Sequence, residues 1–118
     1  MTITTALLIC LFGAVGACLR FGLTQVTNRL LPDVKIPVAT LFINWIGASA
    51  LGLLAGHYSS TSLSWLLSSG LLGGFTTFST FTNETIILFK TRTHLAIRYL
   101  CLSVIGGIGL AALCYWLA

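Results

Sequence analysis

The sequence predicts an all-α membrane protein of four transmembrane helices, the third carrying a candidate break. Three observations carry that reading. Hydrophobic residues make up 57% of the chain and charged ones 7%, and a mean hydropathy of +1.02 is more than a soluble domain of this size tolerates on its surface. From Ile36 to Asn83 there is no Asp, Glu, Lys or Arg, a run too long for one span and matched to two helices of roughly 20 residues with a short turn. Uncharged runs also cover Met1 to Leu19 and Tyr99 to Ala118. The helices are expected at 3–29, 36–56, 63–89 and 95–117, in a single domain over 1–118, with the 2–3 turn at His57 to Ser62.

Helix 1 reads as a retained span, because Met1-Thr2-Ile3-Thr4-Thr5 lacks the positive n-region of a cleaved signal. It offers small-residue positions at Gly13-Ala17 and Gly16-Arg20. Arg20 is costly inside a span, at least ~2.5 kcal/mol at the centre, so it faces a cavity or a partner, or snorkels to the interface.

Helix 2 carries Thr40, Asn44, Ala48, Gly52 and Gly56 at i, i+4 spacing. Small residues one turn apart let helices approach closely in lipid, where no hydrophobic effect draws them together. Asn44, near mid-span, either bonds a neighbouring helix for roughly 1 kcal/mol or serves a path through the protein.

Helix 3 contains Gly73-Gly74-Phe75-Thr76-Thr77-Phe78-Ser79-Thr80-Phe81 around its centre near Thr76. Adjacent glycines weaken a helix by ~1 kcal/mol each relative to alanine, and the hydroxyls can replace broken backbone bonds. Two readings stay open: an unwound turn, allowed in hydrocarbon only where it is buried in protein or lines a cavity, or an intact helix with back-bonded hydroxyls. Phe75, Phe78 and Phe81 interleave with hydroxyls. A phenyl ring has a positive edge, so ring edges beside amide and hydroxyl donors suit a small anion, although the spacing alone does not select an anion over a neutral solute. Glu84 is expected to close this helix, as a boundary marker or as the partner of a cation.

Helix 4 repeats the small and polar stripe at Tyr99, Ser103, Gly107 and Ala111. Every helix thus has a close-contact face. Four short helices enclose little volume, which favours an oligomer if there is to be a pathway.

Arg29, Asp33 and Lys35 lie between helices 1 and 2, and Lys90, Arg92, His94 and Arg98 lie between helices 3 and 4 or just inside helix 4. The positive-inside rule puts both charged loops in the cytoplasm and both termini outside. A net charge of +4 is ordinary for cations flanking membrane spans and does not indicate nucleic acid. Cys10, Cys18, Cys101 and Cys114 are scattered through the spans without metal-like spacing. Two acids and two distant histidines, His57 and His94, make no catalytic constellation, so an enzyme is not expected.

The run from Gly73 to Phe81 followed by Glu84, with Gly16-Ala17-Cys18-Leu19-Arg20-Phe21 and Thr40-Leu41-Phe42-Ile43-Asn44, resembles the small fluoride channels of the Fluc (CrcB) family over the full chain. The resemblance implies a passive, fluoride-selective channel in the cell inner (plasma) membrane that releases cytoplasmic fluoride, built as an antiparallel dimer with two pores. By the same resemblance Phe78 and Phe81 are pore phenylalanines, Asn44 is the pore hydrogen-bond donor, Thr40, Tyr99 and Ser103 are pore-lining, and Arg20 lies near a vestibule. A structural sodium ion at the dimer centre would be held by the carbonyls of Gly73 and Thr76. Gly107 stands where some relatives carry a further serine. The charge bias also favours a subunit of fixed orientation, paired with an oppositely oriented paralogue, over a dual-topology homodimer. The rival functions are a small proton-coupled multidrug exporter, which needs a carboxylate within a helix that helix 1 lacks, and a non-conducting partner subunit.

Overall fold

The computed structural model describes residues 2–31, 36–59 and 61–118; Met1, Asp33 and Lys35, named above, and Ser60 of the expected 2–3 turn lie outside them. Five helical segments make up four membrane helices: α1 Ile3–Leu30, α2 Val38–His57, α3 Leu63–Phe75, α4 Ser79–Thr91 and α5 Thr93–Leu117. The expected third helix is α3 and α4 together, bent between Phe75 and Ser79.

Helix ends follow local chemistry. Thr2 caps α1 and Ser62 caps α3, each hydroxyl accepting from a backbone N–H three residues on, Thr5 N and Trp65 N, both at 3.2 Å. Helix α2 starts two residues later than expected because Pro37 occupies its N-cap, and the residue before a proline is driven out of the helical region. Helix α5 starts two residues earlier than expected. Only Arg92, at φ −146° and ψ 88°, separates it from α4, and the Arg92 carbonyl at once accepts Leu95 N and Ala96 N, both at 3.1 Å.

The chain packs as two close pairs, α1 against α3 and α2 against α5. The first pair rests on glycine. A Cβ on Gly16 would strike the Leu71 carbonyl and come within 2.8 Å of Phe75 N, and one on Gly74 would strike the Gly13 carbonyl. The two backbones touch, which is how membrane helices gain dispersion energy without a hydrophobic driving force. In the second pair Gly52 meets the Ala111 backbone in the same way, as the two small-residue stripes anticipate.

Two apolar clusters fill the interior. Leu41, Leu88, Leu95, Ala96 and Tyr99 join α2, α4 and α5, while Ile43, Leu72 and Phe75 join α2 and α3. The outside is apolar: Ile3, Leu7, Leu11, Val15 and Leu19 form an exposed file along α1. Helices α1, α2 and α5 are each long and apolar enough to cross a membrane, and the molecule measures 47 × 29 × 24 Å, longer than the ~30 Å hydrocarbon core. This is a multi-pass membrane protein.

Candidate functional site

The break falls at Thr76, Thr77 and Phe78, just beyond the glycines expected to cause it. Gly73 and Gly74 are both inside α3, and Gly74 serves the contact with Gly13. Thr76 turns the chain into an extended conformation (φ −81°, ψ 164°). Its N–H and its hydroxyl both donate to the Leu72 carbonyl at 2.9 Å, and its methyl occupies the space that a Cβ on Gly47 would need.

Asn44 holds the break open. Its Nδ2 donates to the Thr77 carbonyl at 3.0 Å and its Oδ1 accepts Thr77 N–H at 2.9 Å. In a continuous helix that N–H would belong to the Gly73 carbonyl. Thr80 N–H, owed in the same way to the Thr76 carbonyl, goes instead to Thr77 Oγ1 at 3.3 Å, and Thr77 Oγ1 donates on to Thr80 Oγ1 at 3.1 Å. The carbonyls of Gly73 and Thr76, the two expected as cation ligands, have therefore lost their helical donors to side chains. The unwound reading of helix 3 holds, and the hydroxyls act as expected: with Phe78 at the N-cap of α4, the Thr77 hydroxyl one residue earlier takes up a first-turn N–H of that helix.

The pairing also fixes the direction of the Asn44 amide, since a peptide N–H can only donate and its carbonyl only accept. One N–H of Nδ2 is left over. Asn44 lines two surface grooves. One, of about 270 Å³, is bounded by Thr76, Thr77, Phe78 and Phe81; the other, of about 410 Å³, by Ser103, Gly107 and Ala111. Phe78 stands 78% exposed, its ring centroid 6.2 Å from that of Phe81. Ser103 Oγ is buried and has no hydrogen-bond partner among the described residues, and Gly107 leaves open space.

Tyr99 does not line either groove. It is fully buried, with its ring 5.5 Å from Phe81 and its hydroxyl donating to Glu84 Oε1 over a long 3.5 Å. Glu84 does not close the helix: α4 runs on to Thr91 because Ile86, Ile87 and Leu88 continue the apolar pattern without a breaker. Glu84 faces a cavity of about 310 Å³ together with Arg20, Gln25, Thr40 and Thr80. Arg20 thus has a polar cavity beside it, the first of the readings open for it. Thr77 lines both this cavity and the phenylalanine groove, so a single residue of the break divides them.

Gly73 is exposed, with nothing near its open side. Cys10, Cys18 and Cys101 are exposed and Cys114 is half-buried, all four as free thiols, and His57 and His94 are exposed. Sequence reasoning missed Gly47 and Trp45. Gly47 had a signal, since it lies three residues from Asn44 and therefore on nearly the same face.

A chemical inventory of the break gives amide and hydroxyl donors, two phenyl rings, and an arginine lining an adjoining cavity. That set suits a small anion that has shed its water. The family model described as CrcB-like protein, Camphor Resistance (CrcB), matches residues 7–115. Among individual relatives, the fluoride-specific ion channel FluC 2 of Bacillus subtilis is 41% identical over 81% of this chain and 73% of its own length. The fluoride-specific ion channel FluC of Leptospira interrogans is 38% identical over 94% of this chain and 91% of its own. FluC 1 of Carboxydothermus hydrogenoformans is 41% identical over 95% and 91%.

Proposed function

The chain belongs to the CrcB family, and we propose that it is a passive, fluoride-selective ion channel, not an enzyme, which lets cytoplasmic fluoride leave and so protects the cell from fluoride entering as its neutral acid. The observation that carries this reading is the groove at the helix break, where an oriented Asn44 donor meets the rings of Phe78 and Phe81, in a chain similar along most of its length to proteins named as fluoride-specific channels.

The path runs from the cavity of Arg20 and Glu84, past Thr77, to the phenylalanine groove. Each groove is open on one side and becomes a closed pore when an antiparallel partner covers it, giving two pores per dimer. Tyr99 supports this path from behind, as the backing of Phe81, and Ser103 adds a free hydroxyl. A structural sodium ion fits the carbonyls of Gly73 and Thr76, because both lack their helical donors and carbonyl oxygen suits a hard cation. Such an ion would neutralise carbonyl charge at the centre of the dimer. The partner is an oppositely oriented paralogue, because Arg29, Lys90, Arg92 and Arg98 all fall at one end of the helices. A proton-coupled exporter fits less well: the one acid on a described helix, Glu84, faces the cavity beside the arginine.

Growth tests the proposal. A bacterium stripped of its own fluoride exporters, and supplied with this gene and that of its paralogue, is expected to regain growth in millimolar fluoride. No rescue by any combination, with both proteins in the membrane, would overturn it.

A further inference from the structure

Trp45 sits next to the pore amide in sequence but faces another way, about 100° around α2. Its Nε1–H donates to the Leu102 carbonyl on α5 at 3.0 Å, and its indole fills the notch left by Gly106, where a Cβ would come within 2.6 Å of the ring. Leu102 already owes its carbonyl to the Gly106 N–H within α5, so indole and helix share one acceptor across a gap that only glycine leaves. The next residues along each helix face the groove: Asn44 on α2, and Ser103 and Gly107 on α5.

We propose that Trp45 is a positioning residue for the anion path, setting the register of α5 against α2 so that the unpartnered Ser103 hydroxyl lies across the groove from Asn44. A serine in a helix ordinarily satisfies its hydroxyl on the preceding turn, as Ser49 does on the Trp45 carbonyl at 2.8 Å. Ser103 Oγ is buried and makes no such bond. Ser103 itself lines the groove, so a turn of its side chain presents the hydroxyl to whatever enters, and α5 can keep it within reach only while the helix neither rotates nor slides. An indole in a glycine notch blocks the slide, and the Nε1–H bond blocks the rotation. The inference rests on the channel reading above.

The test compares fluoride and chloride efflux from liposomes holding the conducting assembly. Two changes disturb the lock: Gly106→Ala, and replacement of Trp45 by benzothienylalanine, which keeps the ring shape and removes the donor. Each is expected to lower fluoride flux roughly five- to tenfold and to raise chloride leak, with the assembly's melting temperature nearly unchanged in the benzothienylalanine form. In a Ser103→Ala background neither change should lower fluoride flux further, because the group being positioned is gone. Unchanged flux and selectivity in the benzothienylalanine form would overturn the proposal. So would an equal further loss in the Ser103→Ala background, which would make Trp45 a packing residue only. If no assembly containing the wild-type chain releases fluoride, the channel reading fails, and this inference falls with it.

Discussion

The side-chain amide of Asn44 and the peptide of Thr77 form a closed pair, Nδ2 to O at 3.0 Å and Oδ1 to N at 2.9 Å, 33 residues apart in sequence. The pair does two things at once. It stands in for the backbone bonds that the break in helix 3 gives up, and it aims the remaining amide N–H along a direction the side chain could not hold alone.

Two substitutions at Asn44 should separate these tasks. Asn44→Leu leaves both Thr77 groups without partners, at about 1–3 kcal/mol for each buried group. It should lower the melting temperature, speed hydrogen exchange at the Thr77 amide and abolish flux. Asn44→Asp keeps the acceptor for Thr77 N–H but replaces the donor with a charge or a titratable acid in the anion path. Conduction near neutral pH should stop with a smaller loss of stability. Wild-type flux in Asn44→Asp would reduce Asn44 to a packing residue.

Gly16 and Gly74 are expected to tolerate no side chain, since the obstruction on each is backbone from the opposing helix. Gly16→Ala or Gly74→Ala should force α1 and α3 apart and sharply lower the yield of monodisperse protein in detergent. Gly109→Ala, where a Cβ meets nothing within 4 Å, is the control and should purify like the wild type. Equal yields from all three would contradict the close crossing.

The sequence made the spans legible because charge is so scarce: an uncharged run bounded by cations has few interpretations in a bilayer. A break was one of the two readings that glycines beside hydroxyls left open. Its position was not legible, because a glycine serves a bend and a close helix contact equally well, and Gly74 turned out to do the second. Partners were the least legible. The i, i+4 stripes showed which faces pack, but not that Asn44 would reach Thr77 or Trp45 would reach Gly106, since a helix pattern fixes an angle around its own axis and says nothing of which helix lies opposite. Glu84 was misplaced for a related reason: a lone acid resembles a membrane boundary when the polar cavity that accommodates it is formed by other helices.

Phe78 and Phe81 should respond differently to the same change. Phe78 is largely exposed, so Phe78→Ile should cost almost no stability and yet reduce fluoride flux. Phe81 also packs on Tyr99, so Phe81→Ile should reduce flux and additionally lose about 0.5–1.5 kcal/mol of stability from the aromatic pair. Unchanged flux in both would remove the rings from the mechanism.

Orientation should follow the exposed cations at the α4–α5 corner. A C-terminal reporter is expected to lie outside in the wild type, whereas Lys90→Gln with Arg92→Gln should give a mixture of both orientations by weakening the positive-inside signal. A reporter already mixed in the wild type would argue for a dual-topology homodimer.

The most direct measurement is fluoride efflux from liposomes, recorded with a fluoride electrode beside a chloride electrode, for this chain alone and combined with a paralogue that is silent by itself. Rapid fluoride release with no chloride release in at least one of the two preparations is the expected result. No fluoride release in either, or chloride release at the same rate, would contradict a fluoride-selective path at the Asn44–Thr77 break.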